Sequence, residues 1–559
     1  MTTKTIYQNF KEMLIKTATK LGIDEPRPQI ELNKTGIDAH FSTTVALTNA
    51  KKKRVAPQVL ASEFRDQLLA DYQEVFADIS IAGPGFINVT FNPSYLSKVT
   101  GQINTAKLDY GRVEKNHQIV SLEEVSVNPT GYLHVGHARN AVIGDSLKRL
   151  FEFTGYDVLT EYYVNDAGNQ INILAVTVFV YYLNQLGIKT SLPEEAYKGE
   201  GYELVAHRLV EEYGDKFKDV TFTSNQIDDE KVNEIFRKKA TAYFLEIIKS
   251  QLKSIGVEIG YYNSEQKMYD DHEIEKVLAL YEQKKATYYQ EGALFLKTTQ
   301  YGDDKDRVLV KSDGKTYTYL TPDLASHNVR INRTKANKLI NVWGGDHHGY
   351  IARMKAGLTW LGNDPDILEI QMIQMVRVIK NGTEFKMSKR KGTAIWMIDL
   401  VEMIGKDALR YMLAAKDANS HMDLDIDLVQ QKNASNPVYY AQYATARLHS
   451  ILQQANDRDL APDFNQTALL KEEKETTLLI TLDNFQEVVK QATKQRSPHL
   501  ITDYIQVVAR QFHSYYAEFK IIDISQLELT KVRLGLIVSV LQVLTNAFAL
   551  IGLDVIEEM

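Results

Sequence analysis

The chain has 559 residues, of which 44% are hydrophobic and 25% charged, and its formal net charge is −7. At about 150 residues per domain this length predicts three or four domains, and the composition is typical of a soluble globular protein with ample core. The acidic balance excludes a global basic field that would attract nucleic acid. The absence of cysteine excludes disulfides, thiolate nucleophiles and cysteine-ligated metal sites.

Neither end of the chain is predicted to enter a membrane. The N-terminal stretch lacks the uninterrupted apolar segment of a signal peptide. Residues 534–553 carry no formal charge over a membrane-spanning length, but Ser539, Gln542 and Asn546 would need polar partners in lipid. We therefore expect this segment to be a buried helix in a helical bundle, and the chain to be cytoplasmic.

Residues 1–110 are predicted to form an α+β module. Strand-like runs flank a Gly-Pro-Gly turn at residues 83–85, and a helical stretch covers about residues 59–76. The polar residues 111–118 that follow are typical of a linker. The module is therefore expected to fold separately from the rest of the chain.

From Ile119 onward the pattern changes to strand, turn, helix and strand. This order predicts a βαβ unit and hence a parallel, Rossmann-like sheet. We assign residues 111–400 to this central domain, with a charged, mostly helical insertion at about residues 190–300. Residues 401–435 are predicted to form a connection, and residues 436–559 a C-terminal all-α domain. The expected fold class is therefore α/β multidomain.

The motif HVGH, from His134 to His137, follows a strand and a Pro-Thr-Gly turn and opens a helix. Two imidazoles three residues apart lie on one helical face, and a helix N-terminus offers free N–H groups to a phosphate. Gly136 would let a flat base approach the backbone closely. Taken alone, the motif favours two ordinary, partly buried histidines by roughly two to one, and a metal site would lack a third, carboxylate ligand.

The second motif is KMSKR, which begins at Lys386 and follows a hairpin signal at Asn381-Gly382. Lysine and serine on a glycine-flanked loop can close over a polyphosphate and neutralise a departing pyrophosphate. By itself KMSKR could be a solvated basic loop. Its order after HVGH, and the lack of a Walker-type phosphate loop anywhere in the sequence, favour a nucleotide site.

These two motifs resemble HIGH and KMSKS, the signatures of the class I aminoacyl-tRNA synthetases. The resemblance implies Mg²⁺-dependent use of ATP as a substrate to activate an amino acid, followed by transfer to the 2′-hydroxyl of the terminal adenosine of a tRNA. It implies catalytic roles for His134, His137, Lys386 and Lys389, with Lys389 the stronger candidate of the two lysines. The implied ATP-binding set is His134, Gly136, His137, Lys386, Met387, Ser388 and Lys389.

Acidic and phenolic residues near the predicted sheet end suggest which substrate binds. Glu123 and Asn128 close the first strand, and Tyr319 and Asp323 precede a helix; ligands of α/β folds bind at such strand ends. Two carboxylates and a phenol would suit a planar guanidinium. From charge alone, this pocket and a set of ordinary surface ion pairs are about equally well supported.

The blocks EEVSVNPTGYLHVGH, YLTPDLASH, VWGGDHHGYIARMKA and SNPVYYAQYATARL resemble the bacterial-type arginyl-tRNA synthetases. This resemblance covers essentially the whole chain. It implies that Glu123 and Asp323 hold the guanidinium of L-arginine, and that Asn128 and Tyr319 position the amino acid. It also implies that the GGDHHG block lines the floor of the pocket, through Asp346, His347 and His348.

The same resemblance implies that tRNA(Arg) is the partner, contacted at its elbow by the N-terminal module and at its anticodon by the C-terminal domain. We expect a monomer. Three alternatives stay open: another class I synthetase, a metal phosphoesterase of the Asp-His-His type suggested by GGDHHG, and a tRNA-binding homologue without activity. The residues do not test whether activation of arginine needs bound tRNA.

Overall fold

In the computed structural model, which describes residues 4–33, 39–385 and 395–559, the N-terminal module is an antiparallel sheet covered by helices. Its strand order is β1-β2-β4-β3, and rings of Phe10, Phe41 and Phe91 pack in its core. The predicted turn at residues 83–85 joins β3 to β4. The elements are α1 (Ile6–Lys20), β1 (Ile30–Leu32), β2 (Phe41–Thr43), α2 (Val45–Lys53), α3 (Pro57–Asp71), β3 (Phe76–Ala82), β4 (Phe86–Phe91), α4 (Pro93–Leu96) and α5 (Lys98–Ala106).

The central domain is built on a parallel sheet of five strands in the order β12-β11-β5-β6-β7. Its elements are β5 (Ile119–Glu123), α6 (Val135–Phe153), β6 (Asp157–Val164), α7 (Asn169–Gln185), α8 (Glu200–Tyr213), α9 (Glu230–Ser254), β7 (Tyr261–Ser264), α10 (Glu265–Asp270), α11 (Glu273–Gln283), β8 (Thr287–Gln290), β9 (Ala293–Leu296), β10 (Arg307–Val310), α12 (Leu320–Thr334), β11 (Lys338–Gly344), α13 (Ile351–Trp360) and β12 (Leu368–Ile373).

The strand order places a topological switch point at β5. The chain runs from β5 outward through β6 to β7, and then returns to the other side of β5 as β11 and β12. A crevice therefore opens at the carboxyl ends of β5 and β11, where ligands of open α/β sheets bind. Strand β5 ends at Glu123, which pairs in register with Asn341 of β11 and Glu161 of β6.

The segment predicted as an insertion, about residues 190–300, contains helices, one strand of the central sheet and part of a small antiparallel sheet. Helices α8 and α9 pack with α7, which precedes the segment, in a separate apolar core that includes Phe179, Tyr182 and Phe236. Strand β7, although it lies in the same range, returns to the central sheet and pairs with β6. Strands β8, β9 and β10 form a small antiparallel sheet. The domain limits drawn from the sequence remain predictions, but the parallel sheet itself is confirmed.

After β12 the chain forms a small sheet in the order β14-β13-β15. Asn381 and Gly382 have φ angles of 52° and 69° and join two antiparallel strands, as a type I′ hairpin requires, so the predicted hairpin is confirmed. In β15 Met422 is buried while Asp423 is exposed. The elements are β13 (Val376–Lys380), β14 (Thr383–Glu384), α14 (Met397–Ile404), α15 (Lys406–Ala414), β15 (Met422–Asp425) and α16 (Ile426–Val429).

The C-terminal domain is helical, as predicted. Its helices are α17 (Pro437–Asn456), α18 (Glu473–Asp483), α19 (Phe485–Gln495), α20 (His499–Glu518) and α21 (Leu527–Leu550). By length and composition α21 could cross a membrane, but 72% of its most apolar window is buried inside the protein. The Asn546 amide donates to the backbone carbonyl of Lys107, 2.9 Å away. The prediction of a buried bundle helix is therefore confirmed.

One buried arginine joins the C-terminal domain to the helix that carries HVGH. Arg410 of α15 is fully buried and pairs with Asp145 of α6. The same guanidinium donates to the carbonyls of Ile255 (2.7 Å) and Ile551 (2.9 Å). The side chain of Arg410 thus connects the C-terminal end of α21 with α6.

Candidate functional site

Glu123 lies at the carboxyl end of β5, in the crevice at the switch point. Its Oε2 accepts hydrogen bonds from Arg330 Nη1 (3.1 Å) and Asn341 Nδ2 (3.2 Å). Its Oε1 accepts from the Ser126 hydroxyl at 3.1 Å. Burial raises the pKa of Glu123, and the Arg330 charge opposes that shift. Glu123 is thus a buried carboxylate: among the described residues, Oε2 is bound to two interior side chains and Oε1 only to a hydroxyl.

The backbone directly after β5 is strained. Val125 and Ser126 have φ angles of 69° and 45°, a region that non-glycine residues rarely adopt and that is costly for a β-branched residue. The Val125 amide donates to Asn140 Oδ1 (2.7 Å), and the Val127 amide to Tyr162 Oη (3.1 Å). Side chains of α6 and β6 therefore hold the turn that follows Glu123.

Asp323 lies on the first turn of α12, and its carboxylate interacts electrostatically with that of Glu123. Its Oδ2 accepts a hydrogen bond of 2.7 Å from the Tyr350 hydroxyl. Burial, and then the negative charges of Glu123 and Glu265, raise the pKa of Asp323 to about 7. Since no cation is among these causes, the acidic cluster destabilises its own negative charge and favours a cationic ligand.

The other two predicted arginine contacts, Asn128 and Tyr319, differ in how far they are buried. Asn128 is partly buried and its amide donates to Gln170 Oε1. Tyr319 is 83% exposed at the N-terminus of α12. The predicted roles of Asn128 and Tyr319 remain predictions.

The GGDHHG block forms a 3-10 turn, Gly345–Tyr350, directly after β11. His347 is exposed, with its ring centroid 6.1 Å from that of Trp343; His348 is exposed as well. The side chain of Asp346 lies outside the described part of the structure. The assignment of these residues to the pocket floor is therefore still a prediction.

Sequence reasoning missed Glu265, Tyr350 and Arg330. Glu265 is 7% exposed and begins α10 directly after β7; burial raises its pKa to about 7, and the nearby Asp166 carboxylate adds to the shift. Its signal was present, because YYNS reads as a short strand with a serine N-cap. It was overlooked because the surrounding residues were assigned to an insertion, away from the sheet edge.

The two histidines of HVGH meet at the N-terminus of α6. His134 is the N-cap, and the ring centroids of His134 and His137 are 3.5 Å apart. The Gly136 amide donates to His134 Nδ1 (3.0 Å), and the His134 amide to His137 Nδ1 (3.2 Å). Burial lowers the pKa of both rings, that of His137 to about 3. Both rings are therefore neutral at pH 7, with the proton on Nε2, which can act as a donor.

Gly136 is required by this ring arrangement. A Cβ atom at position 136 would lie 2.9 Å from Cε1 of His134, closer than carbon atoms approach without displacement. The close approach at Gly136 is thus to the protein's own imidazole, and approach of a nucleotide base there is still a prediction.

The segment that follows KMSKR is bonded directly to HVGH. The Val135 amide donates to Ile395 O (3.3 Å), and the Met397 amide to Leu133 O (2.7 Å); His134 and Trp396 form an isolated antiparallel bridge. The four predicted residues of the loop, Lys386, Met387, Ser388 and Lys389, lie outside the described residues. Residues 395–397, which follow the loop in the chain, therefore lie next to the two histidines.

Within the described ranges, no group of three or more His, Asp or Glu side chains is arranged to hold a metal ion.

Comparison with known proteins identifies the family. Residues 4–91 match the arginyl tRNA synthetase N terminal domain, residues 101–454 the catalytic domain of class I tRNA synthetases (R), and residues 441–559 the DALR anticodon binding domain. An arginine–tRNA ligase of Mesoplasma florum is 56% identical, with 98% of this chain and 99% of the relative covered. The Bacillus subtilis arginine–tRNA ligase is 42% identical, with 98% of both chains covered.

The fold is also that of a solved member. The arginyl-tRNA synthetase of Thermus thermophilus superposes with a TM-score of 0.75 at 20% identity, covering 99% of this chain and 100% of that one. The predicted multidomain α/β architecture is therefore confirmed by structure as well as by sequence. With three consecutive domain matches and full-length relatives, the chain belongs to the arginyl-tRNA synthetase family of class I aminoacyl-tRNA synthetases.

Proposed function

We propose that this chain joins L-arginine to tRNA(Arg) at the crevice between β5 and β11. The observation that carries the proposal is the cluster of Glu123, Asp323 and Glu265, in which burial, and then the charges of Glu123 and Glu265, raise the pKa of Asp323 to about 7. Such a cluster gains most from a cationic ligand, and a guanidinium binds carboxylates in bidentate fashion. In this proposal Glu123 and Asp323 hold the guanidinium, and Asn128, Tyr319, Asp346 and His347 contact the remainder of the amino acid.

The first step forms arginyl-adenylate. An oxygen of the arginine carboxylate attacks the α-phosphorus of ATP, the bond from that phosphorus to the bridging oxygen breaks, and pyrophosphate leaves. Neutral His134 and His137 donate from Nε2 to phosphate oxygens as charge develops, which stabilises the transition state without a covalent intermediate. Lys386 and Lys389 neutralise the triphosphate, and Gly136, Met387 and Ser388 complete the ATP contacts. Mg²⁺ would accompany ATP as its counter-ion.

The second step transfers the amino acid. The 2′-oxygen of the terminal adenosine attacks the carbonyl carbon of the adenylate, AMP leaves, and the hydroxyl loses its proton. We assign the anticodon to the C-terminal helices, because the model of the DALR anticodon binding domain matches residues 441–559. We assign the tRNA elbow to the N-terminal module. A cytoplasmic monomer completes the proposal.

The decisive experiment is pyrophosphate exchange with each of the standard amino acids, with and without tRNA. Exchange with arginine alone is the expected result, and exchange in the absence of tRNA would show that activation does not need it. Exchange with a different amino acid would overturn the assignment of the acidic crevice. Binding of tRNA without any exchange would instead support the alternative of an inactive homologue.

A further inference from the structure

Glu123 already carries a guanidinium, that of Arg330, which raises the question of how it can receive a second one. Arg330 is 1% exposed on α12 and lies beneath the crevice. Its Nε donates to Ser121 Oγ at 2.7 Å, and its Nη1 to Asn341 Oδ1 at 2.7 Å and to Glu123 Oε2 at 3.1 Å. Its Nη2 donates to the carbonyl of Ser121. Arg330 is thus fixed in the interior by groups of β5 and β11, and it uses only one oxygen of Glu123.

A second chain of hydrogen bonds connects Glu123 with Asp323. Asn341 Nδ2 lies 3.2 Å from Glu123 Oε2 and 2.8 Å from His327 Nε2. His327 Nδ1 lies 2.8 Å from the backbone carbonyl of Asp323. Because Asn341 Nδ2 can only donate, His327 Nε2 accepts. The imidazole proton is therefore on Nδ1, which donates a hydrogen bond to the backbone carbonyl of Asp323. Burial lowers the pKa of His327 to about 4, which fits this neutral form.

These contacts make a continuous network in the order Arg330, Glu123, Asn341, His327 and the backbone carbonyl of Asp323. Glu123, Arg330, Asn341 and His327 are each 9% exposed or less, and the network joins β5, β11 and α12. A buried polar network in which each member is satisfied has one low-energy arrangement, because any displacement leaves a buried group without a partner.

We propose that Arg330, Asn341 and His327 are positioning residues for the substrate arginine: Arg330 holds Glu123 as a carboxylate with Oε1 left for the substrate, and Asn341 and His327 fix the separation of Glu123 from Asp323. This inference rests on the proposed function, since it assigns the substrate guanidinium to those two carboxylates. The three residues act through Glu123 and Asp323 and do not themselves contact the substrate.

Removing the charge of Arg330 should change the pH dependence of arginine binding, which loss of packing alone would not do. Burial alone would favour the protonated form of Glu123, and Arg330 is the main group that opposes it. Among the described residues, the other titratable groups around Glu123 are Glu161 and Tyr163 on β6, and Asp323 and His327 on α12. None of these four supplies a positive charge at neutral pH, and Arg333 of α12 pairs with Glu161. Removal of Arg330 therefore leaves Glu123 to be protonated across a range where the native enzyme keeps it ionised.

The test measures KM for arginine, KM for ATP and kcat in tRNA aminoacylation between pH 6 and 9, for Arg330→Met, Arg330→Lys and Asn341→Ala. In Arg330→Met we expect the arginine KM to rise about tenfold or more, as for a lost contact to a charged group. The ATP KM should stay within about twofold. The arginine KM should also show an ionisation at higher pH than in the native enzyme.

Arg330→Lys restores a positive charge and should abolish that added ionisation while keeping part of the rise in KM. Asn341→Ala should raise the arginine KM without the added ionisation.

Asn49→Ala is the matched control. Asn49 is 3% exposed on α2 of the N-terminal module, and its amide donates to the carbonyl of Val45 at 2.8 Å. Its replacement should lower the melting temperature while leaving the arginine KM within about twofold of the native value, because Asn49 and Val45 are not part of the crevice. If Arg330→Met does not fold, Arg330→Lys and Asn341→Ala decide the question on arginine KM alone.

Two failures are distinguishable. If Glu123→Gln leaves the arginine KM unchanged, the proposed arginine site itself is wrong. If Glu123→Gln raises it but the Arg330 and Asn341 variants change only melting temperature, or change both KM values and kcat in parallel, the positioning network is wrong and the proposed site stands.

Discussion

The hydroxyl of Tyr350 donates a 2.7 Å hydrogen bond to Oδ2 of Asp323. This is the contact that lowers the pKa of Asp323, while burial and the carboxylates of Glu123 and Glu265 raise it to about 7. Asp323 is therefore about half protonated at neutral pH in the absence of ligand. Binding of a guanidinium would require its ionised form.

We predict that kcat/KM for arginine, which reports ionisations of the free enzyme, rises about tenfold from pH 6 to pH 8, as one acid of pKa about 7 requires. Tyr350→Phe removes the bond that favours the carboxylate, so the rise should move to higher pH. Asp323→Asn should abolish the rise and weaken arginine at all pH values. A flat native profile over this range would contradict the prediction.

The same shift predicts a pH dependence of stability. Between the ordinary pKa of 3.8 and about 7, folded Asp323 keeps a proton that the unfolded chain releases. The free energy of unfolding should therefore fall as pH rises through this window. Urea titrations at several pH values would measure the slope of unfolding free energy against pH. Asp323→Asn should reduce this slope by the contribution of one titrating group.

The KMSKR loop gives a prediction that follows from the sequence. Lys389→Ala should slow arginyl-adenylate formation about 100-fold, the effect of removing one group that stabilises transition-state charge. It should leave the arginine KM little changed, because the acidic crevice is intact. Rapid-quench measurement of adenylate formation tests this. Lys432→Ala, an exposed lysine of the connection after the loop, should behave like the native enzyme. Normal adenylate formation in Lys389→Ala would remove the loop from the mechanism.

Gly144 on α6 is predicted to be indispensable for packing. A Cβ at this position would lie 1.9 Å from Oε2 of Glu124, a residue that is fully buried. In the part of the chain that is described, neither carboxylate oxygen of Glu124 has a hydrogen-bond partner. Gly144→Ala should therefore cost about 1–3 kcal/mol of unfolding free energy, as overpacking does. Gly349→Ala, where a Cβ meets nothing within 4 Å, is the control, and equal melting temperatures for the two variants would contradict the prediction.

Arg410 is predicted to couple the C-terminal domain to α6. Replacing it by Met leaves Asp145, which is 2% exposed, with only Arg149, and deprives two buried carbonyls of their donor. Loss of one partner from a buried pair costs about 3–5 kcal/mol. Calorimetry should show a lower melting temperature and separate transitions for the two domains. Arg377→Met breaks an exposed pair with Asp423 and should change neither.

The local features of this protein follow from its sequence. The strand and helix on either side of HVGH, the histidine N-cap, the Asn381-Gly382 hairpin and the buried apolar helix α21 each depend on residues that are neighbours along the chain. Backbone preferences and hydrophobic periodicity act over such short distances. The predicted carboxylates Glu123 and Asp323 also proved to be electrostatic neighbours, as their position at strand and helix ends suggested.

Only the tertiary structure decided which side chains surround those carboxylates. The hydroxyl of Tyr350 bonds the carboxylate of Asp323, Glu265 enters the cluster because β7 returns to the sheet edge, and Arg330 lies beneath Glu123. Each of these contacts depends on the register and order of parallel strands that are distant in the sequence. No local preference encodes that order, because it is fixed by the burial of the whole sheet between its helices.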